Sequence, residues 1–460
     1  MSEGAVHAYI DAGMDRFRRE LYDFLRIPSV SADPAHARDV RRAAEWCRDH
    51  VRALGMDARL EETDGHPLVI AEWRGAGAAA ATVVVYGHYD VQPPDPVAAW
   101  TTPPFEPELR DGRIHGRGAV DDKGQVFMHL KAIEAHLAAT GALPANVVLV
   151  LEGEEEVGSA GLIAYLRDHG ARIGADAVVI SDTALWQGGI PAIVASLRGT
   201  LYAELTIRRG GGELHSGTWG GAVLNPANEL AGVLGSFHDR DARVAVAGFY
   251  DGIDEAPELL ARVRRTPLDR AGFEREAGTR AIGGERGRSI LERLWLRPTL
   301  DIHGIESGYT GPGPKTVLPA RATAKFSCRL VAGQCPDRIA RLLERHVRAR
   351  VDARFDVSFR VLASAPPWQA DPGAPLLAAV APLLKRHLGR DAVFVGDGGT
   401  IGVVPVLAST VAAPILLLGF GLPGSNEHAP DEWLSNALFE RGIHVLADLL
   451  ARIPRHGSSR

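Results

Sequence analysis

The residues able to do chemistry gather where predicted strands end. The run Thr82-Val83-Val84-Val85-Tyr86 leads into Gly87-His88-Tyr89-Asp90. His88 and Asp90 are two positions apart, so on extended backbone they share a face. A carboxylate so placed can orient an imidazole, as outer partners do for metal-bound histidines. A histidine at the carboxyl end of an α/β strand also sits where such sheets place ligands. Alone, the segment reads better as a histidine in a loop after a core strand.

Asp121 and Asp122 follow Gly116-Arg117-Gly118-Ala119-Val120 and directly precede a helical pattern. In isolation two acids there read as helix N-caps. The spacing fits neither GxxxxGK[ST] nor GxGxxG, so no phosphate loop is indicated. The next segment is sharper. The run Val147 to Leu151 ends in Glu152-Gly153-Glu154-Glu155-Glu156, four carboxylates in five positions. Such crowding is costly unless a cation compensates it. A following helix N-terminus accounts for one or two of the acids and not for all. Asp182 ends the run Ala177 to Ile180, and His428 lies in Gly424 to Glu432 ahead of the last helical pattern. Each alone reads as a solvated loop side chain.

Jointly they say more. His88, Asp121, Glu156, Asp182 and His428 all follow core strands or precede helices of one α/β pattern. Two imidazoles and three carboxylates suit borderline divalent ions, zinc first, with manganese or cobalt as others. Five ligands exceed one catalytic ion with an open position. They suit two ions about 3.5–4 Å apart that share a carboxylate. A further glutamate beside them could accept a proton from water.

The elements that must position these residues alternate between strand and helix. Residues 10–60 read as helical, with Gly55 as a stop. Strands are expected at Leu68–Trp73, Thr82–Tyr86, Asn146–Leu151 and Ala177–Ile180. Helices are expected at Lys123–Ala139 and Ser159–His169, the first from Val126, Leu130, Ile133 and Leu137 at helical spacing. This predicts an α/β catalytic domain with a mostly parallel central sheet flanked by helices. The texture changes near residue 196. Thr200–Ile207, Ala322–Leu330 and Arg354–Leu362 read as strands, Asn225–Leu234 and Pro336–Val351 as helices. Residues 249–300 are Arg-rich and read as helices with loops. After Pro367 the α/β texture returns, with helices at 375–388 and about 400–408 and strands at 391–395 and 414–418. The division is then 1–195 and 371–460 for the catalytic domain, with a smaller α+β lid or dimerisation domain inserted at 196–370.

The chain of 460 residues is 46% apolar and 23% charged, which argues against disorder. Its net charge of −6 gives no general pull toward nucleic acid or anionic membrane. Three cysteines without CxxC spacing rule out a thiolate zinc site and fit a reducing cytoplasm. The first twenty residues lack the apolar core of a secretory leader. Pro405, Ser409, Thr410 and Pro414 break the apolar run 403–420 into a helix and a strand rather than a membrane span. No GxSxG elbow is present, so a serine hydrolase is not indicated.

The ordered segments resemble the M20 family of di-metal peptidases, in its cytosolic nonspecific dipeptidase and carnosinase branch. They are His88-Tyr89-Asp90-Val91-Gln92-Pro93, Trp100 with Pro104-Phe105, Gly116-Arg117-Gly118, Asp121-Asp122-Lys123-Gly124, Glu152 to Ser159, Leu214-His215-Ser216-Gly217, Lys315 to Pro319 and Gly398-Gly399-Thr400. The resemblance implies that His88 and Asp182 hold one metal, Glu156 and His428 the other, and that Asp121 bridges them. It implies Asp90 as the group that orients His88, Glu155 as general base and acid, and a cis peptide between Asp121 and Asp122. His215 would stabilise the oxyanion, contributed by the partner subunit in dimeric members. Thr316, Arg329 and the Gly399-Thr400 backbone would bind the free carboxylate of the substrate. Glu154 stands where relatives vary, His115 is read as a solvated loop histidine, and Arg286, Arg288, Arg293 and Arg297 as a solvated or dimer face.

The expectation is a cytoplasmic homodimeric hydrolase that cuts dipeptides or very short peptides. An N-acyl or N-carbamoyl amino-acid amidohydrolase would use the same site, and a noncatalytic member would lack a ligand or base. None is missing.

Overall fold

The computed structural model describes residues 3–253, 257–371 and 373–455. It forms two compact units. One is drawn from Met1–Ala195, Ala370–Val395 and Gly402–Arg460, the other from Ser196–Gln369 and Gly396–Ile401.

In the first unit the strands lie in the order Asp57–Glu61, Leu68–Trp73, Asn146–Glu152, Thr82–His88, Ala177–Ile180, Ile415–Leu417 and Ala192–Leu197. The four from Asn146–Glu152 to Ile415–Leu417 are parallel. The first two and the last are antiparallel to their neighbours. Thr82–His88 and Asn146–Glu152 are buried along their whole length. A strand covered on both faces needs a continuous apolar run rather than alternation, which is how these sequences read. His88 pairs with Glu152, and Tyr86 pairs with Val150 on one side and Ile180 on the other. The parallel strands therefore stop at one level, and the residues after them share a rim.

Helix Lys123–Thr140 packs on strand Thr82–His88 and on helices Glu3–Leu25 and Asn436–Leu450. The expected stripe of Val126, Leu130 and Ile133 is buried, but so is every residue from Lys123 to Ala135. Covered on so many sides, the helix has no polar face. Phe127 and Ile133 each contribute roughly 1.5–3 kcal/mol by burial. The charge that goes in with them is paired: Lys131 Nζ lies 2.6 Å from Glu134 Oε2. Residues 403–420 split into helix Val403–Thr410 and strand Ile415–Leu417. Among the described residues no helix is long and apolar enough to cross a membrane.

The second unit holds an antiparallel sheet in the order Thr299–Ser307, Arg321–Leu330, Gly199–Arg208, Asp356–Ala365. Helices Pro226–Gly235 and Pro336–Arg348 pack on it. Leu230, Val233, Ile339 and Leu343 share a core with Leu201, Leu205 and Phe326. Helix Pro226–Gly235 starts as its sequence dictates. Pro226 opens the first turn, and the Asn225 side chain accepts a hydrogen bond from the Ala227 amide.

The helices Pro257–Arg265, Arg270–Glu276 and Ile290–Trp295 lie where residues 249–300 read as helical, and strand Thr299–Ser307, which no sequence pattern marks, follows them. It is exposed over most of its length and bulges between Ile302 and Gly304, so it shows no alternation. Residues 254–256 of that stretch lie outside the described ones. Arg297 does not belong to a solvated face: it is 5% exposed, with Nε 2.7 Å and Nη2 3.0 Å from the Glu285 carboxylate.

Candidate metal centre

The rim of the parallel strands collects the side chains singled out above. His88 is the last residue of its strand and is fully buried. Its Nδ1 lies 3.0 Å from the Asp90 carbonyl and 3.3 Å from Asp90 Oδ1. Its Nε2 lies 3.0 Å from Asp121 Oδ1 and 4.0 Å from Asp182 Oδ1. On the other side, His428 Nε2 lies 2.8 Å from Asp121 Oδ2 and 3.4 Å from Glu156 Oε2. Ligand atoms of His88, Asp121 and Asp182 fall within 4.8 Å of one another, as do those of Asp121, Glu156 and His428. Asp121 is common to both groups, one oxygen toward each imidazole.

Asp121 hangs from a loop tied down from beneath. Glu432 accepts hydrogen bonds from the amides of Gly118 at 2.9 Å, Val120 at 2.8 Å and Asp121 at 3.2 Å. The Asp121–Asp122 peptide is cis. Gly124 lets the helix start press onto this loop, because a Cβ there would meet the Ala119 carbonyl oxygen at 1.9 Å. Asp122 occupies the N-cap position but makes no side-chain cap. Its Oδ2 accepts from the His88 amide at 3.3 Å instead, so the N-cap alternative for this acid fails.

The four-glutamate run divides its work. Glu152 faces inward and accepts from Tyr86 at 2.7 Å and Ser159 at 2.9 Å. Glu154 Oε2 accepts from the Gly161 amide at 3.1 Å, where it meets the start of helix Ala160–Ile173. It adds no charge at the rim. Glu155 and Glu156 sit on a short turn whose two amides donate to the two oxygens of Asp90, at 3.3 and 3.2 Å. Asp90 thus steadies His88 and both glutamates. Glu156 Oε2 also accepts from Gln92 Nε2 at 2.7 Å, while its buried Oε1 has no hydrogen-bond partner.

The protonation pattern tests whether divalent ions suit this donor set. Burial pushes Glu155 up to about 8 and, with Asp121, Glu156 up to about 7. The bond to Asp121 pushes His428 up to about 9. Burial opposes a charge on His88, yet Asp121 and Asp90 hold it well above its usual range. Burial would likewise raise Asp121, but His428 and His88 hold it well below the usual carboxylate range. With protons alone, the cluster is compensated by protonating both imidazoles and by retaining protons on its glutamates. Cations between the same atoms supply that positive charge directly, and imidazole with carboxylate is a fitting set for zinc, manganese or cobalt.

The other expected residues lie in the second unit. His215 is exposed, and its Nδ1 accepts from the Gly217 amide at 3.1 Å. That leaves Nε2 as the N–H donor. Arg329 Nη1 donates to Thr400 Oγ1 at 3.1 Å, and Thr400 donates to the Arg198 carbonyl. The Gly399 amide is engaged by Asp397 Oδ1 at 2.7 Å. Thr316 is exposed, and its carbonyl accepts from the Ser216 amide at 2.9 Å.

Glu432 has no mark in the sequence beyond its place at the end of the segment Gly424 to Glu432, and the expectation for His115 needs correction. His115 ends strand Arg113–His115, pairs with Trp433 and is 7% exposed. It is not a solvated loop side chain. It pairs with Glu108 of the adjacent strand Glu108–Arg110 on one side, and the strand that covers it on the other, Trp433–Ser435, lies more than three hundred residues away in sequence.

The sequence profile of peptidase family M20/M25/M40 matches residues 84–452. The chain is 30% identical over 467 aligned residues to the Cys-Gly metallodipeptidase dug1 of Schizosaccharomyces pombe, covering 97% of each protein. It is 29% identical to the human Beta-Ala-His dipeptidase over 96% of this chain and 91% of that protein. Among solved structures, the M20 family metallo-carboxypeptidase Sso-CP2 of Sulfolobus solfataricus superposes with a TM-score of 0.82 at 32% identity, covering 95% of this chain and 99% of that one.

Proposed function

The chain belongs to peptidase family M20/M25/M40, and on that footing we propose that it is a metal-dependent dipeptidase that hydrolyses dipeptides or very short peptides with a free carboxylate. The observation that carries this is Asp121, with one oxygen toward His88 and Asp182 and the other toward His428 and Glu156. We assign His88 and Asp182 to one divalent ion, His428 and Glu156 to the other, and Asp121 to both. Zinc is the first assignment. The bound ions would polarise the scissile carbonyl and lower the pKa of water. Glu155 accepts the water proton and delivers it to the leaving amine. Asp90 keeps the His88 imidazole and the Glu155 backbone in place. His215, with its proton on Nε2, donates to the oxyanion from the partner subunit of a homodimer. Arg329 holds the substrate carboxylate, oriented by Thr400.

Other observations support the finer points. Strand Thr299–Ser307 has an outer edge and presents Ile302 at 39% and Ile305 at 64% exposure, which suits pairing with a second copy. Unpaired cysteines Cys47, Cys328 and Cys335 suit a reducing cytoplasm. The engaged Gly399 amide leaves Arg329 and Thr400 as the better anchors for the carboxylate. The relatives named above are peptidases, so the amidohydrolase reading is not favoured.

The test is amino-acid release by enzyme stripped with chelator and reloaded with zinc or manganese. A dipeptide panel is run beside the matching N-acetyl amino acids. Metal-dependent cleavage of dipeptides is expected. Cleavage of the acylated set alone would overturn the peptidase assignment and leave the metal ligands in place.

A further inference from the structure

A second cluster of imidazoles and a carboxylate lies on helices rather than on the sheet rim. His7 comes from helix Glu3–Leu25, His387 from helix Pro375–Leu388, and His444 and Asp448 from helix Asn436–Leu450. His7 Nε2 is 2.9 Å from Asp448 Oδ1, and His387 Nε2 is 2.7 Å from Asp448 Oδ2. Asp448 is 3% exposed. The three rings stack, with His7 and His444 centroids 4.7 Å apart at 13° and His7 and His387 5.6 Å apart at 26°.

We propose that His7, His387 and Asp448 hold a further divalent cation of the zinc type, which clamps the N-terminal helix onto the two C-terminal ones. Ligand atoms of the three residues lie within 4.8 Å of one another. Two imidazole nitrogens and one carboxylate, with water completing four positions, form an ordinary zinc donor set.

The hydrogen-bond chain behind the cluster sets it up for this role. His444 Nε2 lies 3.1 Å from Asp11 Oδ1, so that nitrogen carries the proton and Nδ1 accepts. His7 Nδ1 meets His444 Nδ1 at 2.5 Å and must be the donor. His7 Nε2 is then left with a lone pair facing a carboxylate oxygen. Two lone pairs at that distance repel unless positive charge lies between them. A proton on His7 could supply it at that one contact. One divalent ion serves both oxygens of Asp448 and both rings. The carboxylate–histidine–histidine order also matches the outer partners that fix metal-ligating imidazoles.

A cluster of similar composition shows the contrast. Glu20, His50 and Glu134 also converge, but the Lys131 ammonium sits among them, 3.1 Å from His50 Nε2 and 2.6 Å from Glu134 Oε2. No lysine enters the His7 cluster among the described contacts. Arg386 Nη1 and Arg452 Nη1 approach Asp448 Oδ2 at 3.4 and 4.0 Å. Glu3 binds Arg386 and lies 3.7 Å from Arg452, so the arginines are themselves compensated.

Zinc per chain, measured on the full-length protein after dialysis against buffered zinc, tests this independently of the rim assignments. Wild type should hold three ions and His387→Ala or Asp448→Asn two, with dipeptide hydrolysis retained as proof of folding. A His88→Ala/His428→Ala variant, with the rim disabled, should keep one. Loaded with cobalt, that variant should show tetrahedral absorption bands that disappear on adding His387→Ala. Two ions in wild type, or three that neither substitution lowers, would overturn the proposal and leave the cluster as a proton-sharing latch. Failure of the rim assignment reads out separately, as full zinc retention in the His88→Ala/His428→Ala variant.

Discussion

Arg117 and Glu432 form an ion pair sealed from solvent: Nη1 and Oε2 are 2.7 Å apart, and the side chains are 1% and 0% exposed. Such a pair is weak evidence of stability by itself, because both ions lose their hydration. Its role here is positional. The same Glu432 carboxylate takes the amides of Gly118, Val120 and Asp121 and so sets the height of Asp121 at the rim.

Replacing Glu432 with Ala leaves Arg117 charged and unpaired in the interior. Breaking a buried pair in this way costs roughly 3–5 kcal/mol. Urea unfolding should show that loss, and metal affinity should fall with it because Asp121 loses its support. A variant of unchanged stability would mean that the loop holds its shape without Glu432.

The fold's main lines were legible because the central strands are continuous apolar runs bounded by glycine and acids. Ala177–Ile180 and helix 375–388 end where their patterns end. Four of the candidate ligands were legible for a related reason, since His88, Asp121, Glu156 and Asp182 stand at or shortly after a strand end or just before a helix, whereas His428 lies in the loop ahead of strand Trp433–Ser435. What could not be read depends on distant partners. Glu432 acts on a loop 311 to 315 residues earlier. Strand Thr299–Ser307 has no buried face to impose a period of two. Spacing alone does not separate the four glutamates at 152–156; the resemblance assigns Glu155 and Glu156, and the structure adds that Glu152 is tied to Tyr86 while the amides of Glu155 and Glu156 rest on Asp90.

Glu155→Gln keeps the side-chain shape and removes the base. The expected result is a fall in kcat of about 10²–10⁴ with bound metal unchanged. Metal content measured beside single-turnover rates decides the matter, because Glu155 is outside both groups of converging ligand atoms. A joint loss of metal and rate would make Glu155 a ligand rather than the base.

His129 gives the fold a dependence on acid. It is 5% exposed, its Nε2 lies 2.8 Å from Ser181 Oγ, and burial lowers it from 6.5 to about 3. The unfolded chain takes up a proton below about pH 6.5 that the folded one refuses. Stability from this group is therefore present above pH 6.5 and lost as pH falls toward 3, at up to about 1.4 kcal/mol per pH unit. His129→Gln should flatten that slope. Urea midpoints at several pH values, with chelator present in both proteins, compare the two. Equal slopes would show that His129 titrates alike in the folded and unfolded chain.

Arg329 and Thr400 make the last prediction. The Thr400 hydroxyl donates to the Arg198 carbonyl, so its oxygen accepts from Arg329 Nη1 at 3.1 Å and fixes the guanidinium plane. If that guanidinium grips the substrate carboxylate, Arg329→Met removes a charge-assisted hydrogen bond worth about 1.5–3 kcal/mol. The value of kcat/KM should fall roughly 10- to 150-fold for dipeptides. Thr400→Val should act in the same direction and less, since it frees the guanidinium without deleting it. Dipeptide amides lack the carboxylate, so wild type and Arg329→Met should cleave them at nearly equal, low efficiency. A similar fall on amides and on acids would place Arg329 in the support of the second unit rather than in recognition of the substrate terminus.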